Sequence, residues 1–269
     1  MFINTNVGAL NAHRNLTSSN TAMNKTMEKL SSGYRINRAA DDAAGLAISE
    51  KMRFQINGMT QASRNAQDGI SLIQTAEGAL TETHAMLQRL NTLANQAKNG
   101  TYASADRGKI QLEVAQLVSE ISNIATGTKF NGISLLNTTN SVAFQVGVNA
   151  ADTIKVTRGN MGATALSVAT LSLSSAGGAS AAIGKIEAAI EAVSKQRATF
   201  GAVQNRLEHT INNLGVNKEN LSAAHSRIRD ADMAAEMTSF TKNQILVQAG
   251  TSMLAQANSV PQNVLKLLG

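Results

Sequence analysis

The sequence has no cysteine, no tryptophan and a single proline, and only 3% of its 269 residues are aromatic. The absence of cysteine excludes disulfides, thiolate metal sites and a cysteine nucleophile. Proline breaks helices, whereas the many aliphatic residues support them. The composition therefore favours long helices over a β-sandwich or an α/β enzyme with a substrate pocket.

Sequence signals for membranes and for conventional secretion are also missing. No apolar run approaches the ~20 residues that a membrane helix requires. The residues after Met1 show no basic start, no apolar segment and no small-residue cleavage site. We therefore expect no membrane insertion, and a location inside the cell unless a specialised export route exists.

The charge is basic, with a formal net charge of +6 and a pI near 9.7. Clustered lysines and arginines would suggest a nucleic-acid partner, because they displace counterions from phosphates. Here the basic residues occur singly, and no stacking aromatics lie among them. The pattern predicts a solvated surface and no nucleic-acid partner.

Residues that could support catalysis are scattered along the chain. The histidines lie far apart in the sequence, at His13, His84, His209 and His225. No His-Glu-x-x-His spacing, phosphate loop or dinucleotide fingerprint is present. The adjacent carboxylates Asp41 and Asp42 cannot converge on one substrate atom, and helix capping explains them better. The sequence thus predicts no enzymatic activity, no cofactor and no metal site.

Apolar residues recur at alternating steps of three and four, which is the spacing of one stripe on a helix. The first such stripe consists of Leu16, Met23, Met27 and Leu30. Residues 31–34 predict a helix stop, and a second helix should run from Asp42 to Ala97, over about 80 Å. A shorter helix then folds back over residues 110–124.

The period changes between about residues 128 and 160. Asn131-Gly132 predicts a tight hairpin, because both residues tolerate positive φ. Alternating apolar residues on either side of residues 149–152 predict a second hairpin. The Ala/Ser/Gly-rich residues 164–180 predict a loop or tip. Helical spacing returns from Ile183 towards Arg229, and a final amphipathic segment follows.

The predicted fold class is therefore mainly α. The N- and C-terminal regions should form a long antiparallel helical bundle or coiled coil, with a small β-hairpin region in the middle. The two ends should lie side by side, each with an apolar stripe and little further core to cover it. Such a surface must be covered by another chain or remain poorly ordered until it is.

Long segments of the sequence resemble bacterial flagellin, and they occur in the family's order. The matching segments are residues 30–37 (LSSGYRIN), 41–48 (DDAAGLAI), 61–65 (QASRN), 68–71 (DGIS), 74–80 (QTAEGAL), 204–207 (QNRL), 226–230 (SRIRD) and 254–265 (LAQANSVPQNVL). The resemblance extends over nearly the whole chain outside residues 140–180. The resemblance implies a structural subunit that polymerises with its own copies into a flagellar filament for motility.

The resemblance also implies a domain organisation. Residues 1–33 and 235–269 correspond to terminal helices that pair in the inner tube of the filament. Residues 34–45 and 226–234 correspond to spoke linkers. Residues 46–224 correspond to the outer-tube helical bundle, with hairpins at about 128–160. No room is left for the variable outer domains of longer flagellins, so a thin, smooth filament is expected.

Partners follow from the same resemblance. Flagellins leave the cell through the flagellar export apparatus without a cleaved signal peptide, and the filament is extracellular. An export chaperone covers the C-terminal helix, and filament cap and hook-junction proteins flank the polymer. The positions implied for chaperone contact and inner-tube packing are Ile245, Leu246, Met253, Leu254, Val264 and Leu265. The implied N-terminal stripe is that of Leu16, Met23, Met27 and Leu30.

Recognition by the host Toll-like receptor 5 is a further implication of the resemblance. The family's receptor patch is matched at Arg89, Leu93, Gln96 and Glu113. The sequence departs from it at Asn91 and Thr92, where strongly recognised members carry Arg-Glu. Recognition is expected to be retained but weakened.

Two other functions remain open from the sequence. A hook-filament junction protein shares the terminal helices of flagellin, and it would cap a hook rather than extend indefinitely. A secreted helical adhesin could show the same heptads, and it would stay a monomer or a closed oligomer. Growth of long filaments distinguishes flagellin from both.

Overall fold

The computed structural model describes residues 5–268, with the side chains of residues 5–259. Its elements, in chain order, are α1 (Val7–Ser32), α2 (Ala43–Lys98), α3 (Ser104–Gly127), β1 (Lys129–Phe130), β2 (Ile133–Ser134), β3 (Ser141–Gln145), β4 (Thr153–Thr157), α4 (Ala176–Arg229) and α5 (Met233–Leu268). The prediction of a mainly α fold with two small hairpins is confirmed. Within residues 5–268, no helix is both long and apolar enough to cross a bilayer.

The chain divides into two compact units. One combines the chain up to Ile56 with the chain from Glu219 onward, and the other is Asn57–Lys218. The first unit contains α1, α5 and the segments that connect them to the neighbouring helices. The second contains α3, both hairpins and most of α2 and α4.

Local chemistry sets the ends of the first helices. Gly33 ends α1 in the left-handed conformation, with φ of 73°, and its amide donates to the Lys29 carbonyl at 2.8 Å. The Asp42 carboxylate accepts the Gly45 amide at 2.8 Å and so caps the start of α2. The prediction of helix capping is right for Asp42 and wrong for Asp41. The Asp41 carboxylate instead accepts the backbone amides of Asn37 and Arg38 in the preceding turn.

The core of the second unit is one apolar cluster to which three helices, the hairpin region and the segment before α4 all contribute. The members that α2 contributes at helical spacing are Ala66, Ile73, Ala76, Leu80, Leu87, Leu90 and Ala94. Ile121 of α3 and Phe200 and Leu207 of α4 lie in the same cluster and are fully buried. The three- and four-residue spacing thus places the apolar side chains of each helix on its buried face.

Both predicted hairpins are confirmed. Strands β1 and β2 pair around Asn131 and Gly132, whose φ values of 46° and 78° are those of a two-residue turn with positive φ at both positions. Strands β3 and β4 pair antiparallel, with Val142 opposite Val156. The Arg158 side chain joins the two hairpins, since it donates to the carbonyls of Asn140 and Ser134.

The segment before α4 differs from the predicted loop or tip. Residues 164–175 are irregular, as expected, but α4 already begins at Ala176. The segment is also packed, because four of its apolar side chains are buried: Leu166, Val168, Leu171 and Leu173. The Gln111 side chain holds it by accepting the Leu173 amide and donating to the Leu171 carbonyl. Because Ala, Ser and Gly dominate this segment, the sequence pattern did not predict the burial of these four side chains.

Removal of a buried side chain from the second unit should destabilise the monomer strongly. We expect Leu207→Ala to lower the free energy of unfolding by about 2–5 kcal/mol, because it leaves a cavity in a fully buried site. Urea unfolding followed by circular dichroism measures the effect. The control Leu112→Ala, at a side chain 70% exposed, should change it by less than about 0.5 kcal/mol. Equal effects of the two substitutions would contradict the assigned core.

Candidate assembly surface on the terminal helices

Helices α1 and α5 pair along their length. The Asn6 side chain donates to the Ala257 carbonyl at 2.8 Å, and Lys29 forms an ion pair with Glu236 at 3.0 Å. Between these contacts, a Cβ added to Gly250 would lie 3.3 Å from the Leu16 side chain. Residue numbers rise along one helix as they fall along the other, so the pair is antiparallel. The prediction that the two ends lie side by side is confirmed.

A heptad seam joins the two helices. On α1, half-buried or buried residues recur at steps of three and four: Ala9, Ala12, Leu16, Ser19, Met23, Thr26 and Leu30. The matching half-buried residues of α5 are Glu236, Phe240, Asn243, Val247, Gly250, Leu254 and Ala257. Antiparallel packing of this kind places each seam residue against the facing helix. Several seam positions are small or polar, so the seam buries little apolar surface for its length.

Three of the four residues of the predicted N-terminal stripe lie in the seam, and one is exposed. Leu16, Met23 and Leu30 lie in the seam and are half-buried. Met27 does not, since its side chain is 48% exposed and the neighbouring Thr26 occupies the seam position. Met27 therefore lies outside the contact between α1 and α5, because a step of three or of four from Met23 fits helical spacing equally well. Its place in the inner-tube stripe stays a prediction.

The predicted C-terminal residues are divided in the same way. Leu254 is half-buried in the seam, whereas Ile245, Leu246 and Met253 are exposed. Leu246 and Met253 are seven residues apart with Ala249 between them, so they form a second stripe that α1 does not cover. The side chains of Val264 and Leu265 lie outside the described residues.

Exposed apolar side chains concentrate on these two helices. Of the fourteen large apolar residues exposed among the described side chains, eight lie on α1 or α5. We call these eight the terminal apolar surface: Val7, Leu10, Met27, Met233, Met237, Ile245, Leu246 and Met253. Sequence reasoning found four of them, Met27, Ile245, Leu246 and Met253, but not the others. Exposed apolar surface on this scale marks a site of association with another chain.

The segments that follow α1 and precede α5 are fixed by backbone and side-chain bonds. Tyr34 and Asp230 form an isolated antiparallel β-bridge, and the Arg35 amide donates to the Arg229 carbonyl at 2.7 Å. The Arg229 guanidinium lies 4.7 Å from the Tyr34 ring centroid and pairs with Glu50 at 2.7 Å. A cation over an aromatic ring and a carboxylate together hold this side chain in one position. These contacts fix the route of the chain between the paired helices and their neighbours.

The predicted receptor patch lies in the second unit. Arg89 of α2 donates to the Glu113 carboxylate of α3 at 2.8 Å, and the Gln96 amide donates to the Tyr102 hydroxyl at 3.0 Å. Leu93 is only 1% exposed, so it supports this surface from the core and does not form part of it. Leu112, next to Glu113 in sequence, is 70% exposed. The spacing of the buried Ile110, Val114 and Ile121 leaves Leu112 off the buried stripe of α3, so the sequence pattern agrees with its exposure.

No metal centre is evident in the part of the chain that the structure describes. There, no group of three or more His, Cys, Asp or Glu residues is placed to hold an ion. The features that stand out are therefore the paired helices and the apolar surface they leave uncovered. These features are typical of a helical structural subunit that associates with other chains.

Comparisons with known proteins identify the family. The family model of the bacterial flagellin N-terminal helical region matches residues 3–141, and that of the C-terminal helical region matches residues 183–268. This chain belongs to the bacterial flagellin family. It is 53% identical to a flagellin of Bacillus subtilis (strain 168), with all of both chains covered.

Two further relatives agree with this assignment. The chain is 51% identical to the flagellar filament 33 kDa core protein of Treponema phagedenis, again with all of both chains covered. The crystal structure of Bacillus cereus flagellin matches with a TM-score of 0.52 and 36% identity, over 60% of this chain and 94% of that chain. Family membership extends over the whole chain, including the terminal helices.

The Asp41 carboxylate should make the stability of the first unit depend on pH. The backbone amide of Arg38 donates to it and lowers its pKa, with further lowering by the Asn37 amide. Because the folded pKa lies below that of the unfolded chain, the stabilisation is present above the ordinary aspartate range. It is lost as the pH falls through the folded pKa.

We expect Asp41→Ala to lower the midpoint of thermal unfolding at neutral pH, and the difference from the unchanged chain to shrink in acid. Circular dichroism melts at several pH values measure this difference. Asp68→Ala removes another exposed carboxylate, on α2, and serves as the control for the loss of a surface charge. A pH-independent difference for Asp41→Ala would refute the assigned role.

Proposed function

We propose that this protein is the structural subunit of a bacterial flagellar filament and serves motility. The observation that carries the proposal is the terminal apolar surface on the paired helices α1 and α5. Membership of the flagellin family supports it, as does the name of the Treponema phagedenis relative, a flagellar filament core protein. The protein acts by self-association, with no catalytic step.

Burial of the terminal apolar surface drives the assembly. Each square ångström of apolar surface that leaves water contributes about 25 cal/mol. Contacts in which one face meets a different face of the next copy do not close, and they generate an open helical fibre. The stripe of Leu246 and Met253 is one such face, because α1 covers the other side of α5.

The domain organisation is proposed in the terms of the family. Residues 1–33 and 235–269 form the inner tube, residues 34–45 and 226–234 form the spokes, and residues 46–224 form the outer tube. The bonds of Arg229 and Tyr34 support the spoke assignment, since they join the two linker segments to each other. The two small hairpins in the second unit support the outer-tube assignment.

The route to the cell exterior is proposed on the same basis. The subunit leaves through the flagellar export apparatus, and the filament cap guides it into place beyond the hook-junction proteins. An export chaperone covers α5 before assembly. The exposure of Ile245, Leu246 and Met253 in the single chain supports this step, because such side chains need a cover until copies meet.

A second activity, recognition by Toll-like receptor 5, is proposed for the surface around Arg89 and Glu113. Their ion pair and the bond between Gln96 and Tyr102 form an exposed polar surface across α2 and α3. Leu112 adds an exposed apolar side chain beside Glu113. Polar groups around an exposed apolar residue suit a protein partner.

A polar substitution on the second stripe of α5 should stop filament growth. We expect purified Leu246→Asp monomers to fail to elongate filament seeds, because assembly would bury an unpaired charge. The matched control Leu246→Met keeps an apolar side chain of similar volume and should still elongate. Electron microscopy and light scattering measure growth, and circular dichroism verifies that both variants are folded.

The same assay separates the rival functions. Long filaments grown from seeds by the unchanged chain exclude a hook-filament junction protein and a secreted adhesin. Elongation by Leu246→Asp at the rate of the unchanged chain would remove the assigned role of the stripe.

Receptor recognition should depend on the carboxylate of Glu113. We expect Glu113→Ala monomers to activate cells that bear Toll-like receptor 5 less than the unchanged chain does, because the pair with Arg89 is lost. Glu120→Ala, at another exposed carboxylate of α3, is the control and should activate normally. A reporter dose–response measures activation. Failure of the unchanged monomer to activate these cells would contradict the receptor proposal.

A further inference from the structure

Methionines are distributed unevenly over the surface of this protein. The sequence contains ten, of which nine have described side chains. Four are 47–64% exposed, and all four belong to the terminal apolar surface: Met27, Met233, Met237 and Met253. The other five described methionines are half-buried or buried, with Met161 only 8% exposed. The exposed thioethers therefore lie only on α1 and α5 among the described residues.

An exposed thioether has a defined reaction with peroxides. The sulfur lone pair attacks one oxygen of hydrogen peroxide, the O–O bond breaks, and the products are methionine sulfoxide and water. The sulfur is oxidised by two electrons and the peroxide is reduced. The reaction turns a flexible apolar side chain into a polar one, and dedicated reductases reverse it. Access to solvent determines which methionines react first.

We propose that these four methionines are peroxide-reactive modification sites that control assembly of the free subunit. Their sulfoxides would carry polar oxygens into contacts that otherwise bury apolar side chains, which is unfavourable without a hydrogen-bond partner. The methionines of the second unit, Met59, Met86 and Met161, are half-buried or buried and should react more slowly. Oxidation thus weakens association and leaves the folded subunit intact. The inference rests on the proposed filament function for its effect on assembly.

The four methionines also differ from the other members of the same surface. Val7, Leu10, Ile245 and Leu246 are aliphatic and do not react with peroxides. Oxidation therefore changes the polarity of part of the surface while the rest stays apolar. A reversible change in half of an association surface adjusts the affinity of the subunit, since each buried polar group opposes binding.

The test begins with site-resolved oxidation of the full-length monomer. Purified protein is treated with hydrogen peroxide for increasing times, quenched, and analysed by peptide mass spectrometry. We expect sulfoxide at Met27, Met233, Met237 and Met253 before it is detected at Met161. Equal rates at Met161 and the four exposed sites would overturn the proposal. This readout does not depend on filament assembly.

Seeded elongation then measures the consequence. Oxidised monomer should elongate seeds at least about tenfold more slowly than untreated monomer. Treatment with the two methionine sulfoxide reductases, one for each sulfoxide epimer, should restore the original rate. Undiminished elongation of monomer oxidised at all four sites would overturn the proposal, as would a loss that the reductases fail to reverse.

A quadruple variant links the effect to these side chains. For M27L/M233L/M237L/M253L and for the unchanged chain, the elongation rate after peroxide treatment is divided by the rate of the same protein before treatment. The ratio for the variant should stay near one, whereas the ratio for the unchanged chain should fall. An equal fall of the ratio in both proteins would overturn the assignment to these four methionines. If the variant does not assemble, recovery of elongation by the reductases tests the assignment instead. Failure of untreated, unchanged monomer to elongate refutes the filament function instead.

Discussion

The antiparallel pairing of α1 with α5 is the constraint on which the rest of the structure depends. It joins the two ends of the chain through contacts from Asn6 with Ala257 to Lys29 with Glu236. The seam between them has little apolar surface, because small or polar residues such as Ser19, Asn243 and Gly250 lie between its apolar residues. A seam of this composition orders two helices but buries little apolar area. The pair therefore stays folded while much of its apolar surface remains open to other chains.

This balance explains how one fold serves both a monomer and a polymer. The second unit has a continuous core in which Phe200 and Leu207 are fully buried, and it needs no partner to satisfy its apolar residues. The paired helices lack such a core and leave Leu246 and Met253 in water. Stability and association are thus assigned to different parts of the chain. The contacts of Arg229 with Tyr34 and Glu50 fix the segments adjacent to the paired helices.

Local signals in the sequence predicted most of the fold correctly. The Asn131-Gly132 turn, the helix end at Gly33 and the cap at Asp42 are each set by the backbone preferences of one or two residues. The pairing of the ends followed from the order of the segments, with helical regions on both sides of a central hairpin region, and the resemblance to flagellin agreed with it. Residues 164–175 are irregular as predicted, but the burial of Leu171 and Leu173 was not predicted, because it depends on contacts with residues far away in sequence. The capping role predicted for Asp41 is wrong because its carboxylate accepts the amides of Asn37 and Arg38 in the preceding turn instead.

By itself, the sequence determined the helices, the hairpins and the existence of apolar stripes at both ends, because period and turn chemistry are local properties. Only the tertiary structure decided which stripe each apolar residue joins. Thr26 rather than Met27 faces α5, and Leu254 is covered whereas Met253 is exposed. Leu93 is placed in the core in the same way. The physical reason is that helical spacing allows neighbouring stripes, and the register of the facing helix selects one of them.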